Sequence, residues 1–315
     1  VCFCKPFAHR KKNKITLNKM FWIYILLITH GYSTWNYNNN GNDWHLTYPD
    51  CNGGTQSPVD FDSSMQFTCP VTNGQTDHHL EWIWKTHQTF NIKNNGHTLK
   101  LTPITKTGIS TFESNNKNTN EIARLLNRFG STSTDHKEYC LDSIHFHFGS
   151  SNTQGSEHTV YGTHYPLEAH LVHFSCDYLT LSDALDAYNS GGLTDQFVLG
   201  VVAIFFNVDN DHPNGFIDRM IRNYPKLWYF ENEINLSLLN VGDLIPNDIY
   251  SYYYYEGSLT TPSCSPVVRW HVLKEHQGVS DYQLTLLRTL QTESGSMENN
   301  FRPVQINSNP KYYCD

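Results

Sequence analysis

Three imidazoles in this chain are spaced so that one metal ion could reach them all. His145 and His147 lie in Ser143-Ile144-His145-Phe146-His147-Phe148, where apolar and polar residues alternate, the pattern of a strand with one dry and one polar face. Both rings therefore point the same way. His170 belongs to a second alternating run, Leu167 to Phe174, and the segment between, Gly149 to Pro166, is rich in Gly, Ser, Thr and His and reads as a loop. Pairing of the two runs brings His170 beside the other two. Two ligands two residues apart on one strand, with a third from a neighbouring strand, leave one tetrahedral position free, which is how a catalytic rather than a structural zinc is held. Ordinary strand histidines, in a chain with 17 of them, are the competing reading at this point.

Strands at this spacing need a sheet around them. Phe197 to Phe206 is an almost continuous apolar run of β-branched and aromatic residues, suited to a central strand buried on both faces. Ser182 to Tyr188, closed by Gly191 and Gly192, predicts a short capped helix, and Ser280 to Leu290 predicts a second. Glu121 to Gly130 puts Ile122, Leu125, Leu126 and Phe129 on one helical face, so a helix is expected there. The Asn-rich stretch Trp35 to Asp43 reads as a solvated loop, and no internal repeat is visible. The fold class expected is mainly β (α+β), one domain with short peripheral helices.

The first 33 residues have a different character. Six basic residues and no acid accompany the apolar run Phe21 to Ile28, which is too short to span a bilayer but suits the core of a secretory signal. Gly31-x-Ser33 offers a cleavage site, so the mature domain is expected to span 34–315. Met20 suggests a start just before the apolar run, with 1–19 untranslated and a signal peptide over 20–33; a buried N-terminal helix is the competing reading. Loss of the leader moves the formal charge from −8 to −14. An acidic protein repels nucleic acid and anionic membrane and offers weak sites for calcium or carbonate mineral, and no membrane anchor is expected. Cys51, Cys69, Cys140, Cys176, Cys264 and Cys314 remain, an even number that fits a disulfide framework in an oxidising compartment and hence a secreted protein. Asn235-Leu236-Ser237 is a glycosylation sequon.

Several motifs stand in a specific order: Gln56-Ser57-Pro58-Val59-Asp60, Asn94-Asn95-Gly96-His97, His145-Phe146-His147, Gly155-Ser156-Glu157-His158-Thr159-Val160, Glu168-Ala169-His170-Leu171-Val172-His173, Gly257-Ser258-Leu259-Thr260-Thr261-Pro262 and Arg302-Pro303. On these the sequence resembles the alpha-class carbonic anhydrases from about Trp35 to about Pro303. The resemblance implies a large twisted, mostly antiparallel central sheet with zinc at the bottom of a conical cleft, held by His145, His147 and His170. It implies reversible hydration of carbon dioxide, with bound water brought to a pKa of about 7, a magnitude that comes from carbonic anhydrase itself. By the same resemblance Thr260 orients the attacking oxygen and donates to Glu157, while Thr261 contacts substrate. Val172, Val198, Leu259, Val268 and Trp270 form the dry wall, and His97 shuttles the proton. Glu168 and the Asn300 carbonyl orient ligand rings, and Cys51 bridges to Cys264. The other four cysteines allow three pairings.

This chain departs from the family pattern at several places. Ser143 replaces the longer amide that orients His145, Phe148 and Phe301 replace tryptophans, and Lys100 stands in the cleft where a small amide is common. An insertion with a helix and loop is expected near 110–135. Two other functions remain open on sequence grounds: an inactive binding module of the same fold, and an acidic matrix protein that promotes carbonate mineral deposition.

Overall fold

Alternation of apolar and polar residues builds the molecule around one sheet. The computed structural model describes residues 35–67, 71–72, 75–76, 80–84, 88–104, 123–127, 137–193 and 195–314. In chain order the strands are β1 (Asp60–Phe61), β2 (Val71–Thr72), β3 (Gln75–Thr76), β4 (Leu80–Trp84), β5 (Gln88–Asn94), β6 (Leu99–Pro103), β7 (Ala123–Asn127), β8 (Lys137–Phe148), β9 (Thr159–Val160), β10 (Leu167–Ser175), β11 (Leu199–Val208), β12 (Glu233–Leu239), β13 (Tyr252–Gly257), β14 (Val268–Val279) and β15 (Lys311–Cys314). The α-helices are short: α1 (Leu181–Ser190), α2 (Gly215–Ile221), α3 (Tyr224–Leu227) and α4 (Asp281–Arg288).

Eleven strands share the main sheet in the order β12-β5-β6-β8-β10-β11-β14-β13-β15, with β7 added to β8 and β4 to β7. The β11–β14 pair is parallel and the others are antiparallel. On β8 and β10, Ile144, Phe146, Leu167, Ala169 and Leu171 point into a core that also takes Phe216, Met220, Leu284 and Leu287 from α2 and α4. Side chains on the other face, among them Val172, Val201, Phe205, Tyr255 and Trp270, form a second core. Each large side chain so withdrawn from water contributes about 1.5–3 kcal/mol. His145, His147 and His170 alternate with the first set and so emerge on the second face. The expectation of a mainly antiparallel sheet with small helices at its margins is borne out.

Local chemistry sets the helix ends. The Thr180 hydroxyl accepts the Asp183 N–H at 3.1 Å to start α1, and Gly191 closes it at φ 74°. Ser280 and Gln283 form a reciprocal capping box on α4. The expected helix over Glu121–Gly130 is corrected: Ala123–Asn127 is strand β7, paired with β4 and with Lys137–Cys140 of β8. The reason lies in β8. It is 12 residues long and meets β6 only at Ile144, so its N-terminal half presents an edge that a five-residue segment can pair with, and so short an apolar run fits either period.

Two disulfides, Cys51–Cys264 and Cys140–Cys176, tie loops to the sheet. Cys314 is also disulfide-bonded, and Cys69 lies outside the described residues. Among the described residues no helix is long and apolar enough to cross a membrane.

Candidate metal centre

The β8–β10 register places His145 opposite His170 and His147 opposite Glu168. One ring nitrogen from each of His145, His147 and His170 falls within 4.8 Å of the others. The ring centroids of His145 lie 4.9 Å from His147 and 5.2 Å from His170. The loop that predicts no regular structure folds back beneath this pair. Gly155, at φ 149°, makes that possible, since a Cβ there would stand 2.3 Å from the Pro166 carbonyl oxygen. Glu157 and His158 thereby reach Glu168.

Hydrogen bonds fix which nitrogens are bare. His147 Nδ1–H donates to the Asn300 carbonyl oxygen at 2.8 Å, and a carbonyl only accepts, so Nε2 of His147 carries a lone pair. His170 Nε2–H donates to Glu168 Oε1 at 2.6 Å. Burial opposes charge on Glu168, but the His158 and His170 rings and their hydrogen bonds outweigh it and hold the carboxyl below the usual range. Glu168 is therefore an acceptor, and Nδ1 of His170 is bare as well. These two bare nitrogens face each other at 3.1 Å. Two lone pairs at that distance repel unless a cation sits between them, and tetrahedral ligands at about 2.05 Å from a metal stand roughly 3.3 Å apart. Burial, then the neighbouring rings, pushes the His147 pKa down to about 3, and burial lowers that of His170 as well, which favours the neutral form that a metal ligand needs. The donor set fits a divalent metal. His158, Glu168 and His170 form a second convergent group, but their facing atoms are already hydrogen-bonded to one another.

A sequence model of the eukaryotic-type carbonic anhydrase family matches residues 39–311. This chain belongs to that family. It is 29% identical to Bos taurus carbonic anhydrase 6 over 266 residues, 83% of this chain and 73% of the relative. It is 31% identical to Homo sapiens carbonic anhydrase 12 over 274 residues, covering 84% and 67%, and 30% identical to Homo sapiens carbonic anhydrase 7 over 283 residues, covering 87% and 94%. The chain is a carbonate dehydratase, and its reaction is the reversible hydration of carbon dioxide to bicarbonate and a proton.

Other residues of this carbonic anhydrase gather around the triad. Thr260 is buried on a segment held at both ends: Cys264 is bridged to Cys51, Gln56 Nε2 donates to the Cys264 carbonyl at 3.1 Å, and Ser57 and Ser258 exchange two bonds of 3.0 Å between backbone N–H and hydroxyl. Glu157 is fully buried, and its Oε1 accepts the Arg302 backbone N–H at 2.9 Å. Thr260 hydrogen-bonds this carboxyl group, and its Oε2 has no other hydrogen-bond partner among the described residues. Burial, and next the charge of Glu168, push the Glu157 pKa up. A cation at the triad would offset both buried carboxylates.

Val172, Val198, Val268 and Trp270 are buried in the second core, with Leu259 packed against it, and the Trp270 ring lies 4.8 Å from the His170 ring. Thr261 is half-buried beside Thr260. His97 follows Gly96, whose φ of 81° and contact with Phe230 leave no room for a side chain, and burial pushes the His97 pKa down to about 4. Asn300 does more than the sequence indicated. Its side chain donates to the carbonyls of His97 and Phe146 at 2.7 and 2.8 Å and accepts the Phe148 N–H at 2.7 Å, tying the ligand strand to the His97 turn.

The Ser143 hydroxyl donates to Asp142 Oδ2 at 2.7 Å, and among the described residues no hydrogen bond engages the His145 ring. Sequence reasoning missed His158 and Tyr255. His158 Nδ1 meets the same Glu168 oxygen at 2.6 Å, and its Nε2 lies 2.7 Å from the Tyr255 hydroxyl. The Glu157-His158 adjacency was the only signal. Asn235 is exposed on β12.

Proposed function

We propose that the metal of this carbonic anhydrase is zinc, held by His145, His147 and His170. The pair of bare imidazole nitrogens 3.1 Å apart carries this reading, and an all-imidazole donor set with an open position suits zinc. Bound there, zinc supplies a water that ionises near neutral pH. Thr260 orients the attacking oxygen by accepting its hydrogen while donating its own to Glu157. Val172, Val198, Leu259, Val268 and Trp270 offer carbon dioxide an apolar wall, and Thr261 contacts substrate or bicarbonate. Glu168 and the Asn300 carbonyl fix the tautomers of His170 and His147.

His97 takes the departing proton. Burial holds the His97 pKa at about 4, so near pH 7 the ring is neutral, the form that can accept a proton. His97→Ala is expected to lower kcat in weak buffer, with added imidazole restoring it; an unchanged rate would remove the role. The protein works outside the cell, a reading supported by its disulfides and by the leader at 1–33, with 34–315 as the mature domain and a glycan on Asn235. Stopped-flow hydration of carbon dioxide tests the function. Chelation should abolish the rate and one equivalent of zinc should restore it; a rate indifferent to both contradicts the proposal.

A further inference from the structure

Lys100 is a cation whose charge is only loosely matched. Leu101 of β6 stands opposite Ile144 of β8, and both point into the first core. Lys100 therefore emerges on the histidine face, level with His145 in the antiparallel register. The nearest carboxylate oxygen is Asp142 Oδ2, 3.6 Å from Nζ. That oxygen already accepts the Ser143 hydroxyl. Across the β5–β6 pair Lys93 faces Lys100, but Lys93 is gripped by Glu231 at 2.5 Å. The Lys100 side chain keeps 42% of its surface open, and no hydrogen bond within 3.5 Å engages its ammonium among the described residues.

The reaction converts a neutral molecule into an anion, so a fixed positive charge beside the triad distinguishes product from substrate. The chain as a whole carries a formal charge of −8 and does nothing to attract that anion. We propose that Lys100 is an anion-holding residue of this site, which retains bicarbonate and other small monovalent anions next to the histidine triad. Holding the anion in its bound ground state lowers the KM for bicarbonate and strengthens inhibition by its product. The proposal rests on the family reaction and on the triad as metal site.

The test uses the zinc-loaded protein and thiocyanate as the probe anion at constant ionic strength. Three quantities are measured: the thiocyanate Ki in carbon dioxide hydration, the KM for bicarbonate in dehydration, and the thermal upshift that thiocyanate produces without turnover. Lys100→Gln should raise Ki and KM together by roughly three- to ten-fold, the scale of one partly exposed charge, and should shrink the upshift. Lys100→Arg should keep all three near wild type. Asp142→Asn, which removes the competing carboxylate, should lower the thiocyanate Ki, and this variant carries the test if Lys100→Gln fails to fold. Overturning results are a Ki and KM unchanged in Lys100→Gln, or a Ki unchanged or raised in Asp142→Asn. Hydration by the wild-type protein in the same assay separates failure of this proposal from failure of the metal reading.

Discussion

His145 is the least supported of the three proposed ligands. Asn300 and Glu168 hold the rings of His147 and His170, whereas Ser143 is turned to Asp142 and no hydrogen bond among the described residues engages the third ring. Partners of this kind are worth about 10- to 100-fold in metal affinity. Ser143→Gln, whose amide is long enough to reach the ring, is expected to tighten zinc by up to that factor, measured by competition with a chromophoric chelator; equal or weaker affinity would show that ring orientation is not limiting. The triad was legible in the sequence because alternation on two strands fixes which way His145, His147 and His170 point. His158 was not legible. It sits at the end of a loop, beyond the reach of any period, and its bond to Glu168 exists only because Gly155 lets that loop fold back.

The apolar strands β10 and β11 and the two capped helices were legible in the sequence, whereas β7 and the briefest helices were not. Leu167–Ser175 and Leu199–Val208 advertise themselves by runs of apolar residues, and α1 and α4 by their caps. Helices α2 and α3, of seven and four residues, are too brief to display a helical period. Segment β7 was mistaken for a helix because its environment, the free edge of β8, lies elsewhere in the chain. The sequence also left Cys140 and Cys176 unassigned. Their bridge ties β8 to the end of β10, the two strands that carry the histidine triad, and closes a span of 36 residues. A loop of that size constrains the unfolded chain by about 3–4 kcal/mol. Replacing both cysteines with Ser should cost close to that amount in urea unfolding; a loss below about 1 kcal/mol would show that sheet pairing alone sets the strand geometry.

At the scale of the whole molecule, buried histidines make stability depend on pH. His173 is buried in β10, and burial pushes its pKa down to about 4, against 6.5 unperturbed. The unfolded chain binds a proton near 6.5 while the folded chain does not, so stability is fully present above that pH and is lost as pH falls toward 4. The loss from this one group is on the order of 3 kcal/mol. His173→Gln should flatten the decline of Tm between pH 7 and pH 4; an unchanged slope would assign the acid sensitivity to other groups. The sheet that buries His173 also brings the three imidazoles together, and a bound cation would relieve the repulsion between the facing nitrogens of His147 and His170. Zinc stoichiometry of the purified protein and of His147→Ala tests that claim most directly. One zinc per wild-type chain and its loss from the variant are predicted; a wild-type protein without stoichiometric metal, or a variant that keeps it, would contradict the account.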